Sequence, residues 1–292
     1  MFKYIAFYSG IVASAASVWI LTKYSDIAFF GGLLGILTFG VLLIITKSEK
    51  AAYRHAFKQD VVKIILQSIN PEWNYKPDGR ISEADYRRSR LFNTGYDRYQ
   101  GDDLVWGTIE KTDFQISELH TEYKTETTDS KGNSHTEWHT IFRGLFAHAE
   151  FNKEIEGKTI VLPDTTDNLF GVFSDTLQSF SERGKLVKME NVEFEKMFVV
   201  YGSSQIESRY VLTPTMMEAM LQIRKKHNGY VYFSFIGSRV YVALYNKKDL
   251  FEPRIFGSGV RFEDVLLMNE QFRTIQMIVR ELNLNTRIWT KQ

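Results

Sequence analysis

The sequence predicts an α+β protein, in which an N-terminal two-helix transmembrane hairpin over residues 1–46 precedes a mixed, largely antiparallel α+β cytoplasmic body. Two uncharged stretches carry the first half of this prediction, Tyr4–Thr22 and Ile27–Thr46, because a membrane-spanning helix needs about 20 largely apolar residues. Residues 23–26 separate them, so the two helices form a hairpin. The second half rests on alternating apolar and polar residues, which indicate strands, interspersed with amphipathic helical segments.

A cleaved signal peptide is the alternative for residues 1–17. Lys3 would be its charged region, and the small residues at 13–15 would be its cleavage site. The long uninterrupted apolar run favours an anchor instead. In both cases the body lies on the cytoplasmic side, because basic residues follow Thr46 and positive charge collects on that side of a membrane.

A juxtamembrane amphipathic helix is predicted over 47–70, with Pro71 ending it. Basic residues recur along it at helical spacing, which indicates a stripe at the level of the lipid headgroups. The stripe binds anionic lipid in one interpretation; in the other, which we favour because the bias is general, it only sets the topology. The membrane-surface residues of this prediction are Lys47, Lys50, Arg54 and Lys58.

The polar remainder divides into two predicted units, a β-rich α+β unit over 71–184 with a long hairpin, and a second α+β unit over 185–292 ending in a C-terminal helix. The first unit contains a short helix begun by Ser82 and a second one over Ser174–Gly184. Its strands are expected over Leu104–Ile109, Asp113–Thr127, His135–Phe151 and Thr159–Leu162.

The second unit mixes short strands with two amphipathic helices. Thr213 and Pro214 are typical of a helix start, and that helix runs to about His227. Gly237-Ser238 predicts a tight hairpin turn. The remaining expectations are strands over Lys185–Met189, Met197–Tyr201 and Tyr210–Leu212, hairpin strands over Tyr230–Ile236 and Arg239–Tyr245, and a final helix over Phe262–Leu282.

Composition excludes several classes of protein. Lys and Arg number 36 against 35 Asp and Glu, and this balance argues against a nucleic-acid binder, which needs a basic excess. An aromatic content of 14% is too high for a disordered chain. With no Cys, disulfides and thiolate chemistry are excluded. Phosphate-loop, dinucleotide-turn and nucleophile-elbow motifs are absent from the sequence, so we predict no cofactor and no catalytic residue.

One polar cluster could bind a metal ion. On a strand His135, Glu137 and His139 share a face, and Glu118, His120 and Glu122 share a face of the partner strand. Imidazoles and carboxylates that meet across a hairpin could hold zinc. The structural interpretation is an exposed polar ribbon, and we favour it because the metal site needs one particular strand register. The weak metal candidates are His120, His135, Glu137 and His139.

A second acidic group contains Asp97, Asp102 and Asp103. Carboxylates of Asp accept hydrogen bonds from their own backbone in turns, and this explains the group without catalysis.

Short motifs are spread along the predicted body. They are Pro71-x-x-x-Tyr75-x-Pro77, Ser89-x-Leu91-Phe92, Asp97-Arg98-Tyr99-x-Gly101-x-Asp103, Ser117-Glu118-Leu119, Phe142-x-Gly144-Leu145-Phe146, Phe151-Asn152-Lys153, Glu195-x-x-Phe198-x-Val200-Tyr201 and Tyr210-x-Leu212-Thr213-Pro214. Together these motifs resemble the bacterial family of the domain of unknown function 3137. The resemblance implies paired N-terminal membrane helices, no established activity and no site residue. It also implies a location at the bacterial cytoplasmic (inner) membrane and a possible LemA-type membrane-protein partner.

Two functional hypotheses follow. The first is a membrane-anchored interaction or scaffold module whose cytoplasmic body binds a partner protein or lipid headgroups, with the lipid bilayer as a partner and no nucleic acid. The alternative is a metal-dependent hydrolase that acts at the membrane through the His/Glu hairpin. A metal analysis of the purified protein separates them.

Overall fold

A computed structural model describes residues 28–109, 111–129, 132–164, 184–227, 230–247, 251 and 252, and individual helical positions between 263 and 280. Several predictions lie outside these residues: the first transmembrane segment Tyr4–Thr22, the helix over Ser174–Gly184 and most of the final helix. The chain divides into two compact units, residues 1–58 with 253–259, and residues 59–252 with 260–292.

The first unit contains helix α1, Ala28–Phe57. It includes nearly all of the predicted second transmembrane segment, and the helical state expected there is confirmed. Side chains of this helix are described from Leu37 onward, apart from those of residues 42 and 46. Among the residues so described, no helix combines the length and the apolar character that crossing a membrane requires.

The second unit begins with the remainder of the predicted juxtamembrane helix. A π-helical turn, Lys58–Val62, precedes helix α2, Lys63–Ile69. Asn70 ends α2 in an extended conformation, one residue before Pro71, because the residue before a proline disfavours helical geometry. Leu66 and Val62 are buried on the inner face.

Among the described residues of the second unit, seven antiparallel strands form one sheet. Strands β1 to β6 follow the order β1-β2-β3-β4-β6-β5, and β7 pairs with β4. The α+β class of the body is therefore confirmed. Their bounds are β1 Asn74–Lys76, β2 Arg98–Ile109, β3 Thr112–Thr128, β4 Ser134–Pro163, β5 Lys185–Val187, β6 Phe198–Gly202 and β7 Val231–Tyr245.

Four short helices complete the described part of this unit. Each begins at a residue whose side-chain oxygen accepts a backbone N–H, as helix starts favour: Ser82, Asn191, Ser204 and Thr213. The helix starts predicted at Ser82 and Thr213 are confirmed. The helices are α3 Glu83–Arg88, α4 Val192–Met197, α5 Gln205–Val211 and α6 Pro214–Lys226.

The hairpin predicted at Gly237-Ser238 is wrong. β7 is one continuous strand, and both of its halves pair with β4, from Val161 opposite Phe233 to Gly144 opposite Tyr245. Gly237 has φ +59° and lies where the register shifts past an irregular stretch of β4 after Glu150. The positive φ of Gly237, which would suit a tight turn, here allows β7 to bend while it continues as one strand.

A further expectation changes. Tyr210–Leu212 is not a strand, because the Ser204 cap starts helix α5 and Tyr210 lies inside it. Strands on both sides of residue 184 belong to one sheet, since β6 and β7 both pair with β4.

One face of the sheet carries an aromatic core cluster that α3 covers. Tyr86 of α3 packs against Phe146 of β4 with ring centroids 5.3 Å apart, and its hydroxyl lies 2.9 Å from Thr121 Oγ1 of β3. Phe142 and Tyr241 belong to the same cluster. This face leads directly to the candidate site, because His148 follows Phe146 by two residues and shares its side of β4.

Candidate functional site

An open pocket of about 440 Å³ lies on this face of the sheet. Five strands contribute polar side chains to its lining: Asn74 from β1, Thr108 from β2, Gln115 from β3, Glu150 from β4 and Arg239 from β7.

The register of the sheet gathers these residues. Gln115 lies opposite His148, and Glu150 lies opposite Arg239. Residues directly opposite each other in an antiparallel pair share a face, as do alternate residues along one strand. On β2, Trp106 opposes Gln115 and therefore faces the same way. The pocket is thus a property of the strand pairing and not of any short sequence motif.

Carboxylates dominate the charge of this pocket. Glu72, Asp113 and Glu150 are exposed carboxylates in its wall, whereas Arg239 is its single guanidinium. Asp113 accepts a hydrogen bond from the Thr108 hydroxyl at 2.7 Å, so its position is fixed. The indole of Trp106, half-buried, is an aromatic surface in the same lining. Carboxylates attract a cation by their charge, and the face of an aromatic ring attracts it as well.

His148 lies at the inner side of the pocket and is buried, with 6% of its surface exposed. Its Nδ1 lies 3.3 Å from the Nη1 of Arg239. Because a guanidinium only donates hydrogen bonds, this nitrogen accepts and the ring proton belongs on Nε2. Burial, followed by the nearby Arg239, lowers the pKa of His148 to about 4. The imidazole is therefore neutral at physiological pH.

Asp85 of α3 completes this cluster. The Nη1 of Arg239 also donates to Asp85 Oδ1 at 3.3 Å, and Arg88 Nη1 donates to the same oxygen at 3.1 Å. The other carboxylate oxygen accepts from the Ser82 hydroxyl at 2.6 Å and lies 4.0 Å from His148 Nε2. Arg239 thereby connects a helix near residue 85 to strands β4 and β7. We call Asp85, His148 and Arg239 the α3 latch.

A second cluster lies at an irregularity of β2. One carboxylate oxygen from each of Asp102, Asp103 and Glu118 lies within 4.8 Å of the other two. Within the described part of the chain, this is the one group of three potential metal ligands that lie so close together. The Tyr75 hydroxyl donates to Asp103, and burial together with this carboxylate raises the pKa of Tyr75. The prediction of a simple turn at Asp102 and Asp103 is wrong, because the register of β2 shifts between Asp102 and Val105 and both aspartates lie within the strand.

The metal candidates of the β3–β4 hairpin do not converge. Glu122 lies opposite Thr140, whereas Tyr123 lies opposite His139, so the faces of Glu122 and His139 are opposite ones. His120 shares the face of Glu122, with its Nε2 3.3 Å from Thr140 Oγ1. His139 lies 2.8 Å from Thr125 Oγ1 instead.

The two predicted triplets therefore point to opposite sides of the ribbon. His135 and Glu137 are exposed on the face of His139 and pair with Thr127 and Thr125. His120 does not join them in one metal site. The shared face predicted for His135, Glu137 and His139 is confirmed by this register.

The predicted basic stripe divides in the structure. Lys47, Lys50 and Arg54 are exposed on α1. Lys58 is buried, with 5% of its surface exposed, and it begins the π-helical turn. Lys58 is therefore not part of an exposed stripe, although it follows Arg54 at the regular helical spacing of four residues.

These features define a class of protein: an antiparallel α+β body with an open polar pocket on one face of its sheet. The model of the family described as "Protein of unknown function (DUF3137)" matches residues 140–284. The chain belongs to this family, as its motifs indicated. The match lies within the body, so the membrane anchor and the bacterial origin stay predictions.

A solved structure similar to the chain is the crystal structure of the mycobacterial trehalose monomycolate transport factor A, TtfA. It is 9% identical, the alignment covers 78% of this chain and 97% of that one, and the TM-score is 0.39. A likeness this distant carries no statement about function. No curated protein matches the chain.

Sequence reasoning missed the pocket and the α3 latch. It placed Asp85 only in a helix start and Arg239 in a hairpin strand. A usable signal was His148 itself, a polar residue between apolar neighbours at the end of a predicted strand, since a buried polar group requires a partner.

Proposed function

We propose that the protein is a membrane-anchored interaction module, held in the bilayer by the apolar part of α1, whose body binds a partner carrying a cationic group in the pocket. Support for the anchor comes from α1 itself, because a helix that is apolar on all sides needs an apolar environment. Large apolar side chains are exposed around its circumference, between 42% and 69%: Leu37, Phe39, Val41, Leu43, Ile44 and Ile45.

The charges that follow this segment support a cytoplasmic body. Lys47, Lys50 and Arg54 are exposed within the next turns of α1, and such residues stay on the cytoplasmic side. Each basic residue near an anionic membrane surface adds about 1 kcal/mol of attraction. In this proposal the stripe supplements the anchor.

The single observation that carries the binding role is the lining of the pocket. Three exposed carboxylates and an indole surround a cavity that holds one guanidinium, so its field favours a primary ammonium or a guanidinium group. A lysine or arginine side chain of a partner protein supplies that chemistry, and a LemA-type membrane protein is one candidate suggested by the family resemblance.

A binding measurement with a simple diamine tests this role. We expect 1,5-diaminopentane to bind the full chain in detergent micelles saturably, while neutral 1,5-pentanediol does not. Removal of two carboxylates in the double variant D113N/E150Q should weaken the binding of the diamine several-fold and by up to about thirtyfold, since each exposed ion pair contributes up to about 1 kcal/mol. Ligand-observed NMR gives the dissociation constant of the diamine for the wild type and for the double variant.

A charge-matched control separates the pocket from the overall charge. The double variant E126Q/E137Q removes two exposed carboxylates from the β3–β4 ribbon and should leave the affinity unchanged. Equal weakening by both double variants, or equal binding of the neutral diol, would contradict a cation site in the pocket.

A further inference from the structure

We propose that the pocket binds the carboxyl terminus of a partner protein whose last residue is basic. The terminal carboxylate accepts hydrogen bonds from Arg239, and the positive side chain of the same residue lies among the carboxylates of the pocket wall. This role rests on the proposed cation site and specifies its ligand.

Arg239 presents one edge of its guanidinium to a ligand. Its Nη1 lies 3.3 Å from His148 Nδ1 and 3.3 Å from Asp85 Oδ1, and the two hydrogens of that nitrogen serve both acceptors. Among the described residues, the Nε and Nη2 of Arg239 have no hydrogen-bond partner. The side chain is 39% exposed and lines the pocket. Its Nε–Nη2 edge is therefore open to a ligand.

This edge has the geometry that a carboxylate requires. One N–H of Nη2 and the N–H of Nε are parallel donors in a single plane, and such a pair binds both oxygens of a carboxylate. The α3 latch holds the guanidinium in position, because its Nη1 contacts Asp85 of α3 and His148 of β4 together. A donor pair that is already fixed loses less conformational entropy when the ligand binds.

The charges around the latch favour an anion at this end of the pocket. Asp85 Oδ1 accepts from Arg239 and also from Arg88, so one carboxylate is shared by two guanidinium groups. His148 adds no charge at neutral pH, because burial, followed by Arg239, lowers its pKa to about 4. One positive charge therefore remains to attract a carboxylate.

The carboxylates of the pocket lie on the neighbouring strands, next to this positive end. Glu150 of β4 is directly opposite Arg239 of β7. Phe114 of β3 pairs with Ala149, so Asp113 is level with Glu150. Adjacent strands are about 4.8 Å apart, which places the backbones of Asp113 and Arg239 about 10 Å from each other. A single residue that carries a carboxylate and a long basic side chain can contact both ends.

The last residue of a chain combines these two groups. An internal lysine or arginine has an amide in place of the carboxylate and leaves the Arg239 edge without a ligand. A free basic amino acid also carries both charges, but a site for a small molecule buries most of its ligand. This pocket is open on one side, and the rest of a protein chain can leave through that side.

Two lysine derivatives that differ only in the carboxylate test this role. Nα-acetyl-lysine resembles a terminal lysine, and Nα-acetyl-lysine methylamide resembles an internal one. Binding to the full chain in uncharged detergent micelles is measured by ligand-observed NMR at low salt, where exposed charges are screened least. We expect the wild type to bind the carboxylate form about fivefold more tightly, as a half-exposed bidentate pair allows.

Two variants of Arg239 and one control separate this contact from general effects. R239Q should abolish the preference and bind the methylamide at least as tightly as the wild type, because a positive charge has left the cation site; loss of structure would weaken both ligands. R239K keeps a charge beside Asp85 but has no planar pair of donors, so the preference should fall to about half or less. R209Q removes an exposed guanidinium of α5 outside the pocket and should keep the full preference.

The outcomes separate this ligand from the cation site on which it rests. Equal binding of the two derivatives by the wild type, or a preference that R239Q retains or R209Q loses, would overturn the carboxylate contact while the cation site stands. Failure of both the methylamide and 1,5-diaminopentane to bind would overturn the cation site and this ligand with it. Tighter binding of free lysine than of Nα-acetyl-lysine would overturn the chain terminus in favour of a free amino acid.

Discussion

Replacement of Gly144 by Ala should prevent the body from folding stably. Gly144 has φ +143°, a conformation that residues with a side chain rarely adopt. It lies in β4 between Leu119 of β3 and Tyr245 of β7. A Cβ there would overlap the carbonyl oxygen of Leu244 and lie 2.7 Å from the backbone nitrogen of Asn246. Both are backbone atoms of the adjoining chain, so neither can move without breaking the pairing of β4 with β7.

We expect a loss of more than about 4 kcal/mol in the free energy of unfolding, which is a large fraction of the roughly 5–15 kcal/mol that stabilises an ordinary domain. Urea unfolding followed by tryptophan fluorescence measures it in the full chain. Gly95→Ala is the matched control, because nothing lies within 4 Å of a Cβ at that position; it should change stability by less than about 0.5 kcal/mol. A Gly144→Ala protein within about 1 kcal/mol of the wild type would contradict the close approach of β4 and β7.

The second large effect is expected at Asp103, where Val and Asn should behave very differently. Asp103 is 2% exposed, has φ +56° and accepts the Tyr75 hydroxyl. Val is β-branched and disfavours positive φ, and it leaves the Tyr75 hydroxyl without its acceptor. We expect D103V to lose about 3 kcal/mol in the free energy of unfolding.

Asn tolerates the left-handed conformation and keeps a side-chain acceptor for Tyr75. It also removes one negative charge beside Asp102 and Glu118. We therefore expect D103N to change stability by less than about 1 kcal/mol. Comparable losses in both variants, measured by the same urea unfolding, would show that the carboxylate charge itself is needed at this place.

The strands of the first half of the sheet could be predicted because their pattern is local. Alternation of apolar and polar residues located β2, β3 and the first part of β4, and side-chain caps located α3 and α6. β7 could not be predicted as one strand from the same signals. Gly237 permits either a turn or a bend, and the choice depends on the pairing of Val231–Tyr245 with β4, whose paired residues lie between 72 (233 − 161) and 101 (245 − 144) positions earlier in the chain.

The candidate site could not be predicted from the sequence for a related reason. Its lining combines residues from Glu72 to Arg239, and only the strand order and register bring them together. The metal site that sequence spacing allowed at the histidines of the β3–β4 hairpin, and that we did not favour, depended on a register that the structure does not have. A shift of one residue exchanges the two faces of a strand, so Glu122 opposite Thr140 places His120 away from His139.

Alkaline extraction of cell membranes tests the central claim, the anchor, most directly. The full chain, expressed in bacterial cells, should stay in the membrane pellet after a carbonate wash that removes peripheral proteins. The triple variant L37K/V41K/I44K places three charges in the apolar part of α1, and each costs about 2.5–3.5 kcal/mol at the centre of a spanning helix. We expect a larger fraction of that variant than of the wild type in the supernatant, because only the predicted first segment Tyr4–Thr22 is left to hold it, and we expect its body to be as stable as the wild type. Quantitative release of the wild-type chain by the same wash would contradict a membrane-anchored module.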